Sequence, residues 1–224
     1  HTFQGWMGAG TLARAPLLGG GARPVLEDVR EADWNPDGSD LAVVRRVDGR
    51  DRLEFPIGRV LYDTTGWISH VRFSPKGDRI AFADHPIWAD DVGSVSVVDL
   101  AGKKTALTAS LAPLRGLAWS PAGEVLFTQA TDGRLTSLYA VGLDGRQRYI
   151  LGGVAQLLLL DVSRDGRVLL GKETHLRHVE ALTAGSSSPR DVSLAREGTV
   201  ARSISRDGRL LAVTDQSAGL LYEV

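Results

Sequence analysis

Short apolar runs alternate with polar, glycine-containing turns along the whole chain. Five turn phrases, WNPDG, FSPKG, WSPAG, VSRDG and ISRDG, end at Gly38, Gly77, Gly123, Gly166 and Gly208, and each lies between two apolar runs. Successive glycines in this set are 39, 46, 43 and 42 residues apart. Because glycine supplies the positive φ that a tight hairpin needs, each phrase is predicted to join two strands.

The unit that begins near Ile68 shows the predicted elements most clearly. Strands are predicted at 68–74, 79–84, 94–100 and 104–109, and apolar and polar residues alternate in the first and third of them. A four-stranded antiparallel meander that repeats every 40 to 45 residues or so is typical of the blades of a β-propeller. The pattern therefore predicts an all-β fold, a β-propeller of four-stranded antiparallel blades.

A second glycine turn (LLGG, FPIG, DLAG, GLDG and LTAG) sets the phase of the repeat. We expect one domain over 1–224, with a partial blade at 1–29, blades at about 30–64, 68–109, 114–152 and 157–195, and a partial blade at 199–224. Pairing the partial blades into one composite blade would cover two open sheet edges and close a monomer of five blades. A strand at 219–224 competes with one at 11–17 for the same place, so the alternative is an open arc that dimerises or swaps strands.

The turn phrase followed by an LAV or IAF strand resembles the TolB-like, WD-like bacterial propeller repeat over essentially the whole chain. The longer segments GTLARAPLLGG, ADWNPDGSDLAVVRR, RLEFPIGRVLYDTTGWISH and GSVSVVDLAGK resemble propeller regions appended to bacterial serine/threonine kinases and winged-helix regulators. The last two phrases depart from the pattern, with Arg164 and Arg206 in place of proline. The resemblance implies a sensor or protein-interaction platform without catalysis of its own, and no kinase motif occurs in the chain.

Composition removes several classes of function. The 224 residues have a net charge of −1 with basic and acidic residues interspersed, which argues against nucleic acid as a partner. The chain has no cysteine, which excludes disulfides and thiolate chemistry, and no apolar run approaches the length of a membrane span. It starts at His1 with no signal-peptide pattern, so we expect a soluble bacterial fragment of a longer protein, with the compartment left open.

Comparing the units with each other separates scaffold positions from variable ones. Four residues before the turn glycine stand large apolar side chains, predicted to be core wedges: Trp34, Phe73, Trp119, Val162 and Ile204. One residue earlier the units diverge, and Asp33, Arg72 and Asp161 are expected to meet in the central channel. The two interpretations are an ionic cluster that plugs the channel and a binding site for a ligand or metal.

The second variable region is the rim formed by the loops after the second strands. It collects Asp48, Arg50, Asp51, Trp67, His70, His85, Trp88, Asp90, Asp91, Asp132, Glu173, His175 and His178. The leading hypothesis is a non-enzymatic module, without a cofactor, that binds a protein or small-molecule ligand at this loop face. Trp67 and Trp88 are its candidate anchors, because exposed tryptophan beside charge is typical of binding hot spots; the alternative is that both cap blade edges.

The rival hypothesis is a metal-dependent hydrolase with weak or promiscuous activity on activated esters or phosphate triesters. His70, His85, His175 and His178 would bind a divalent metal such as zinc or calcium, and His85, His175 and His178 would be the catalytic residues. The metal would lower the pKa of its bound water towards neutrality. Their spacing matches no established metal motif, and the chain has neither a GxSxG motif nor a glycine loop placed to hold phosphate.

Overall fold

The computed structural model describes residues 8–109, 113–132, 135–152, 156–173, 179–182, 185, 187–192, 199–208 and 210–215. These residues form β-strands and contain no helix, so none of them belongs to a helix long and apolar enough to cross a membrane. The strands up to residue 106 are β1 (Gly10–Arg14), β2 (Arg23–Trp34), β3 (Leu41–Val47), β4 (Arg50–Glu54), β5 (Val60–Thr64), β6 (Trp67–Phe73), β7 (Arg79–His85), β8 (Ser94–Asp99) and β9 (Lys104–Ala106). Those that follow are β10 (Leu114–Trp119), β11 (Val125–Asp132), β12 (Leu135–Val141), β13 (Gln147–Gly152), β14 (Gln156–Val162), β15 (Val168–Glu173), β16 (Glu180–Ala181), β17 (Arg190–Asp191), β18 (Thr199–Ile204) and β19 (Leu211–Asp215).

The strands form antiparallel meanders in chain order. Sheet 1 contains β1 to β5, sheet 2 contains β6 to β9, sheet 3 contains β10 to β13, and β14–β15, β16–β17 and β18–β19 are two-stranded. The chain divides into two compact units. The first, His1–Glu173, contains β1 to β15, and the second, Thr174–Val224, contains β16 to β19. The prediction of an all-β fold with four-stranded antiparallel sheets is confirmed.

The repeated turn phrase has one repeated hydrogen-bond pattern. In the second phrase the Gly77 N–H donates to the Ser74 carbonyl over 2.9 Å, and Gly77 has a φ of 71°. The Ser74 hydroxyl also accepts from the Arg79 N–H where the next strand begins. The same glycine bond occurs in the other four phrases, from Gly38 to Asn35, Gly123 to Ser120, Gly166 to Ser163 and Gly208 to Ser205. The backbone carbonyl of the serine or asparagine therefore closes the turn that the glycine makes sterically accessible, and its side chain accepts an N–H beside the start of the next strand.

The N-terminal strands differ from the sequence prediction. The partial blade predicted at 1–29 and the blade predicted from about residue 30 require a break between two strands, but β2 runs unbroken across that boundary. Its first half pairs with β1 and its second half with β3, which makes sheet 1 five-stranded. Asp28 has a φ of 59° and a bulge lies between Val29 and Glu31, so the strand bends there without ending. The composite blade and the number of blades stay predictions.

The unit predicted at 157–195 is divided between the two compact units. Its first two strands are β14 and β15, whereas β16 and β17 are two residues each and belong to the second unit. His175, His178 and the strand predicted at 219–224 lie outside the described residues.

The core of the first unit lies between successive sheets. Val44 and Leu53 of sheet 1 pack against Ile68 and Phe82 of sheet 2. The opposite face of sheet 2 packs on sheet 3 through residues such as Ala83, Val95, Leu117 and Phe127, and sheet 3 in turn packs on Leu159 of β14. Neighbours on β7 thus serve opposite interfaces, as the two-residue period of a strand requires.

The predicted core wedges are only partly buried. Phe73 and Trp119 are buried at the interfaces of sheets 1, 2 and 3. Trp34 is 43% exposed and Ile204 is exposed as well, so that prediction is wrong for these two. The indole of Trp34 instead lines a cavity, which forms part of the candidate site.

Candidate functional site

A bulge interrupts the first strand of each repeat shortly before its turn phrase. The shifts in pairing fall between Val29 and Glu31, Ser69 and Arg72, Leu114 and Leu117, Leu159 and Asp161, and Ala201 and Ser203. A bulge leaves one residue without a ladder partner and turns the neighbouring side chains towards new directions. The variable residues predicted to be functional lie next to these bulges.

The free edge of β6 is completed by carboxylates from sheet 1. The Ile68 N–H donates to Asp51 Oδ2 over 3.1 Å, and the Val71 N–H donates to Glu31 Oε2 over 3.0 Å. Further along, the Phe73 N–H donates to Asp33 Oδ2 over 2.8 Å. Since β6 is the edge strand of sheet 2, these acceptors replace the strand that would otherwise satisfy its N–H groups.

Asp33, Arg72 and Asp161 line one cavity of about 760 Å³, which we name the inner-strand cavity. They come from β2, β6 and β14, so three different sheets supply its charged groups. The structure thus brings together the three residues that the unit comparison singled out. Whether they bind a ligand stays a prediction.

The charged groups of this cavity keep part of their bonding capacity. Arg72 donates from Nη1 to the Val71 carbonyl over 2.8 Å, and across the described residues its guanidinium has no ion-pair partner within 4.0 Å. Asp161 accepts from the adjacent Val162 N–H through one oxygen. Burial raises the pKa of the Asp33 carboxyl above its usual value; the Phe73 N–H and the Arg72 charge oppose this effect, and the Asp161 charge adds to it.

Apolar walls surround these charges. The ring of Trp34 faces the cavity and has the Arg14 guanidinium 4.6 Å from its centre. Trp119 donates from its indole nitrogen to the Arg72 carbonyl over 3.0 Å, which holds both residues in place. Three prolines of the turn phrases also line the cavity, Pro36, Pro75 and Pro121, and Arg164 adds a second cation to it. Apolar walls with a few charged groups are the usual lining of a small-molecule site.

A second cluster lies near the predicted rim, around the fully buried carboxylate of Asp51. Arg30 pairs with one of its oxygens, and Arg46 donates to the other over 3.0 Å. Arg46 also donates to the carbonyls of Gly49 and Gly66. Trp88 lies over this arrangement, with the Arg46 guanidinium 3.3 Å and the Arg30 guanidinium 5.0 Å from the centre of its ring.

The two candidate anchor tryptophans have different environments. Trp67 is only 5% exposed, and its indole nitrogen donates to the Asp90 carbonyl over 2.8 Å. Its ring stacks on the imidazole of His85, with 3.8 Å between the ring centres. Trp67 therefore packs between His85 of β7 and the β7–β8 loop, and the prediction that Trp67 is exposed is wrong. Trp88 is 39% exposed, as an anchor requires.

His85 is held by protein groups at both ring nitrogens. Nε2 lies 2.8 Å from the Ser69 hydroxyl and Nδ1 lies 3.3 Å from the Val92 carbonyl. Burial lowers the pKa of His85 to about 4, so the imidazole is neutral at pH 7. In this conformation neither nitrogen is open to a metal or a substrate, and the prediction of His85 as a metal ligand and catalytic residue finds no support in its geometry.

His70 occupies a bulge position of β6, where its φ is 55°. Burial lowers the pKa of its imidazole, while the charges of Glu31 and Asp91 act in the opposite direction. Asp90 accepts from the Val92 N–H within the loop. Nowhere in the described ranges do three or more histidine, aspartate or glutamate side chains converge as metal ligands, and His175 and His178 fall outside those ranges.

Arg30 and Glu31 take part in these contacts, although the comparison of the repeats did not single them out. Glu31 stands two residues before Asp33, and strand alternation places such residues on one face. That period was the available signal for Glu31. Arg30 gave none, because its pairing with Asp51 of β4 reaches across the intervening strand β3.

Comparison with known proteins identifies the fold. No family model matches the sequence, and no curated protein does. A TolB structure from Agrobacterium tumefaciens matches with a TM-score of 0.52 and 18% identity, over 78% of this chain and 66% of that one. A TolB structure from Acinetobacter baumannii has a TM-score of 0.44 and 15% identity, over 84% and 47%. A periplasmic gluconolactonase from Pseudomonas aeruginosa has a TM-score of 0.44 and 19% identity, over 91% and 69%.

The chain spans just under two thirds of the first TolB structure and about half of the second. Together with the meander sheets and their face-to-face packing, the first match shows that this protein has a β-propeller fold. At this level of identity the likeness extends to the fold alone.

Proposed function

We propose that this chain is a non-enzymatic β-propeller module that binds a small charged ligand in the inner-strand cavity. The observation that carries the proposal is the convergence of Asp33, Arg72 and Asp161 from three sheets on one cavity of about 760 Å³. Its volume falls within the range of small-molecule sites, roughly 300–1,000 Å³. The resemblance to propellers of signalling proteins supports a sensory role within a larger bacterial protein.

The charges favour a ligand that carries both signs. A carboxylate on the ligand would pair with the Arg72 guanidinium, and an ammonium would lie against Asp33 and Asp161. Among the described residues, Arg72 and Asp161 each make one protein hydrogen bond, to a backbone group, and Asp33 bonds only to the backbone of Phe73 and Trp34, so capacity for a ligand remains. Amino acids and short peptides have this charge pattern, and the Trp34 ring offers an apolar surface for their side chains.

Isothermal titration calorimetry with a panel of amino acids and dipeptides tests the proposal on the intact chain. Binding should be lost in Arg72→Gln and reduced at least about tenfold in Asp161→Asn, because each variant removes one charge from the cavity. Asp48→Asn, a change at an exposed aspartate of the β3–β4 turn, is the matched control and should bind normally. If Arg72→Gln and Asp161→Asn both bind the ligand with wild-type affinity, the proposal is contradicted.

An assay of ester turnover on the same purified protein distinguishes the binding module from the metal-dependent hydrolase. Turnover of chromogenic esters that stops on chelation and returns with zinc would establish the enzyme instead. Because His175 and His178 belong to that hypothesis, His175→Ala and His178→Ala should then remove most of the turnover. A protein that binds zwitterions and shows no such turnover supports the binding module.

A further inference from the structure

The fourth turn phrase places an arginine in the wall of the inner-strand cavity. Arg164 stands at the position that the first three phrases fill with Pro36, Pro75 and Pro121, and all four residues line the cavity. The turn itself is unchanged, because the Gly166 N–H donates to the Ser163 carbonyl over 2.9 Å as the glycines of the other phrases do. The hairpin therefore does not require the arginine, which adds a charge where the repeat has an apolar ring.

The Arg164 guanidinium has no ion-pair partner within 4.0 Å among the described residues. The acidic residue beside it in the chain is Asp165, and both of its oxygens are already engaged. Oδ1 accepts from the Ser163 hydroxyl, and Oδ2 accepts from Arg167 Nε over 2.8 Å. Arg164 therefore keeps its capacity for a carboxylate that the protein does not supply.

The lining of the cavity contains two carboxylates, Asp33 and Asp161, and two guanidinium groups, Arg72 and Arg164. The charges around the lining cancel in number: Asp37 and Asp40, Lys76 and Arg14, and the ion pairs Asp78–Arg79, Glu124–Arg148 and Asp165–Arg167. The surroundings thus favour neither sign of ligand. Selection among ligands depends on the four lining groups.

Arg164 also stands where two spaces meet. Together with Pro121 and Val162 it lines a neighbouring cavity of about 470 Å³ between sheet 3 and β14–β15. A group of the ligand that reaches Arg164 can therefore extend beyond the space occupied by the rest of the ligand.

We propose that Arg164 makes the cavity select amino acids with an acidic side chain, an inference that rests on the proposed binding of amino acids there. The α-carboxylate of the ligand pairs with Arg72 and its α-ammonium lies against Asp33 and Asp161, which leaves Arg164 for a second carboxylate. Aspartate, glutamate and short peptides that contain them supply this group. Arginine suits it, because its planar guanidinium donates two parallel hydrogen bonds to one carboxylate.

Calorimetric titration of the intact chain with isosteric ligand pairs tests the selection. Glutamate should bind at least about tenfold more tightly than glutamine, and aspartate than asparagine, because the members of each pair differ in charge and hardly in shape. Raising the salt concentration should reduce this preference. Equal affinities within both pairs would overturn the role of Arg164 and leave amino-acid binding standing. If none of the four ligands binds, the proposed function is refuted and this inference with it.

A substitution taken from the protein's own repeat assigns the preference to one residue. Arg164→Pro should lower the affinity for glutamate at least about tenfold and leave that for glutamine unchanged, and Arg164→Lys should keep part of the preference. The turn accepts proline, because among the described residues the Arg164 N–H donates to no backbone carbonyl.

Lys76→Gln is the matched control, since it removes an exposed cation from another turn phrase outside the cavity lining. It should leave the preference for glutamate unchanged, and urea midpoints establish that every variant is folded. A preference that persists in Arg164→Pro, or that falls equally in Lys76→Gln, would refute the assignment to Arg164.

Discussion

Asp51 on β4 and Asp33 on β2 both accept a backbone N–H of strand β6, but the surroundings of the two carboxylates differ. Each accepts an N–H from the free edge of β6, Asp51 from Ile68 and Asp33 from Phe73. Asp51 is fully buried and paired with two guanidinium groups, so its remaining capacity is used by the protein. Asp33 lies in a cavity beside Arg72, a guanidinium without an ion-pair partner in the described part of the chain.

The difference separates scaffold from site within a single residue type. The innermost strand of a blade has a free edge, and side chains from the neighbouring sheet must satisfy it. Where all the hydrogen-bond acceptors of those side chains are used by protein groups, as at Asp51 with Arg30 and Arg46, the side chains hold the two sheets together. Where they are not, the same geometry leaves charge available to a ligand. The graded loss of stability on removing each group tests this distinction.

The largest loss of stability is expected for Asp51→Ala. The change leaves Arg30 and Arg46 unpaired and removes the acceptor of the Ile68 N–H, which should lower the free energy of unfolding by about 3–5 kcal/mol. Urea denaturation followed by tryptophan fluorescence measures it. Asp63→Ala, which breaks the exposed pair with Arg50, should cost less than about 1 kcal/mol. Similar losses in both variants would show that the Asp51 cluster is not the fastening we describe.

His85 should make stability depend on pH. The pKa of His85 is about 4 in the folded chain, against an ordinary value of 6.5. Between these two pH values the imidazole is protonated in the unfolded chain and neutral in the folded one. Stability from this source is complete above about pH 6.5 and is lost as the pH falls to about 4, a total of about 3 kcal/mol. Urea unfolding between these limits should show a steeper decline for the wild type than for His85→Gln. Parallel profiles would contradict the buried, neutral histidine.

A smaller effect is expected in the inner-strand cavity. Asp33→Ala removes the acceptor of the Phe73 N–H and should cost about 1 kcal/mol, because the loss of a buried carboxylate with a raised pKa offsets part of the lost hydrogen bond. Asp161→Ala, at an exposed carboxylate that among the described residues bonds only to its neighbour Val162, should change the unfolding free energy by less than about 0.5 kcal/mol. A loss near that of Asp51→Ala at either position would make the cavity scaffold rather than site.

The sequence by itself predicted the repeating architecture of this protein. The turn phrases specify their own geometry locally, since the serine or asparagine closes the turn and the glycine takes the positive φ. Comparison of the repeats also brought Asp33, Arg72 and Asp161 to one register, because a shared position in each repeat means a shared position in each sheet. These inferences need only local chemistry and a constant period.

Tertiary structure decided which of the candidate residues are used by the scaffold. Trp67 and His85 stack on each other and bond to the β7–β8 loop, although both looked available on the rim. The bulge in β6 sets the backbone conformation of His70, and a bulge has no signature in a two-residue period. Whether a side chain is buried and saturated depends on a neighbouring sheet about 40 residues away in the chain, and no local pattern contains that information.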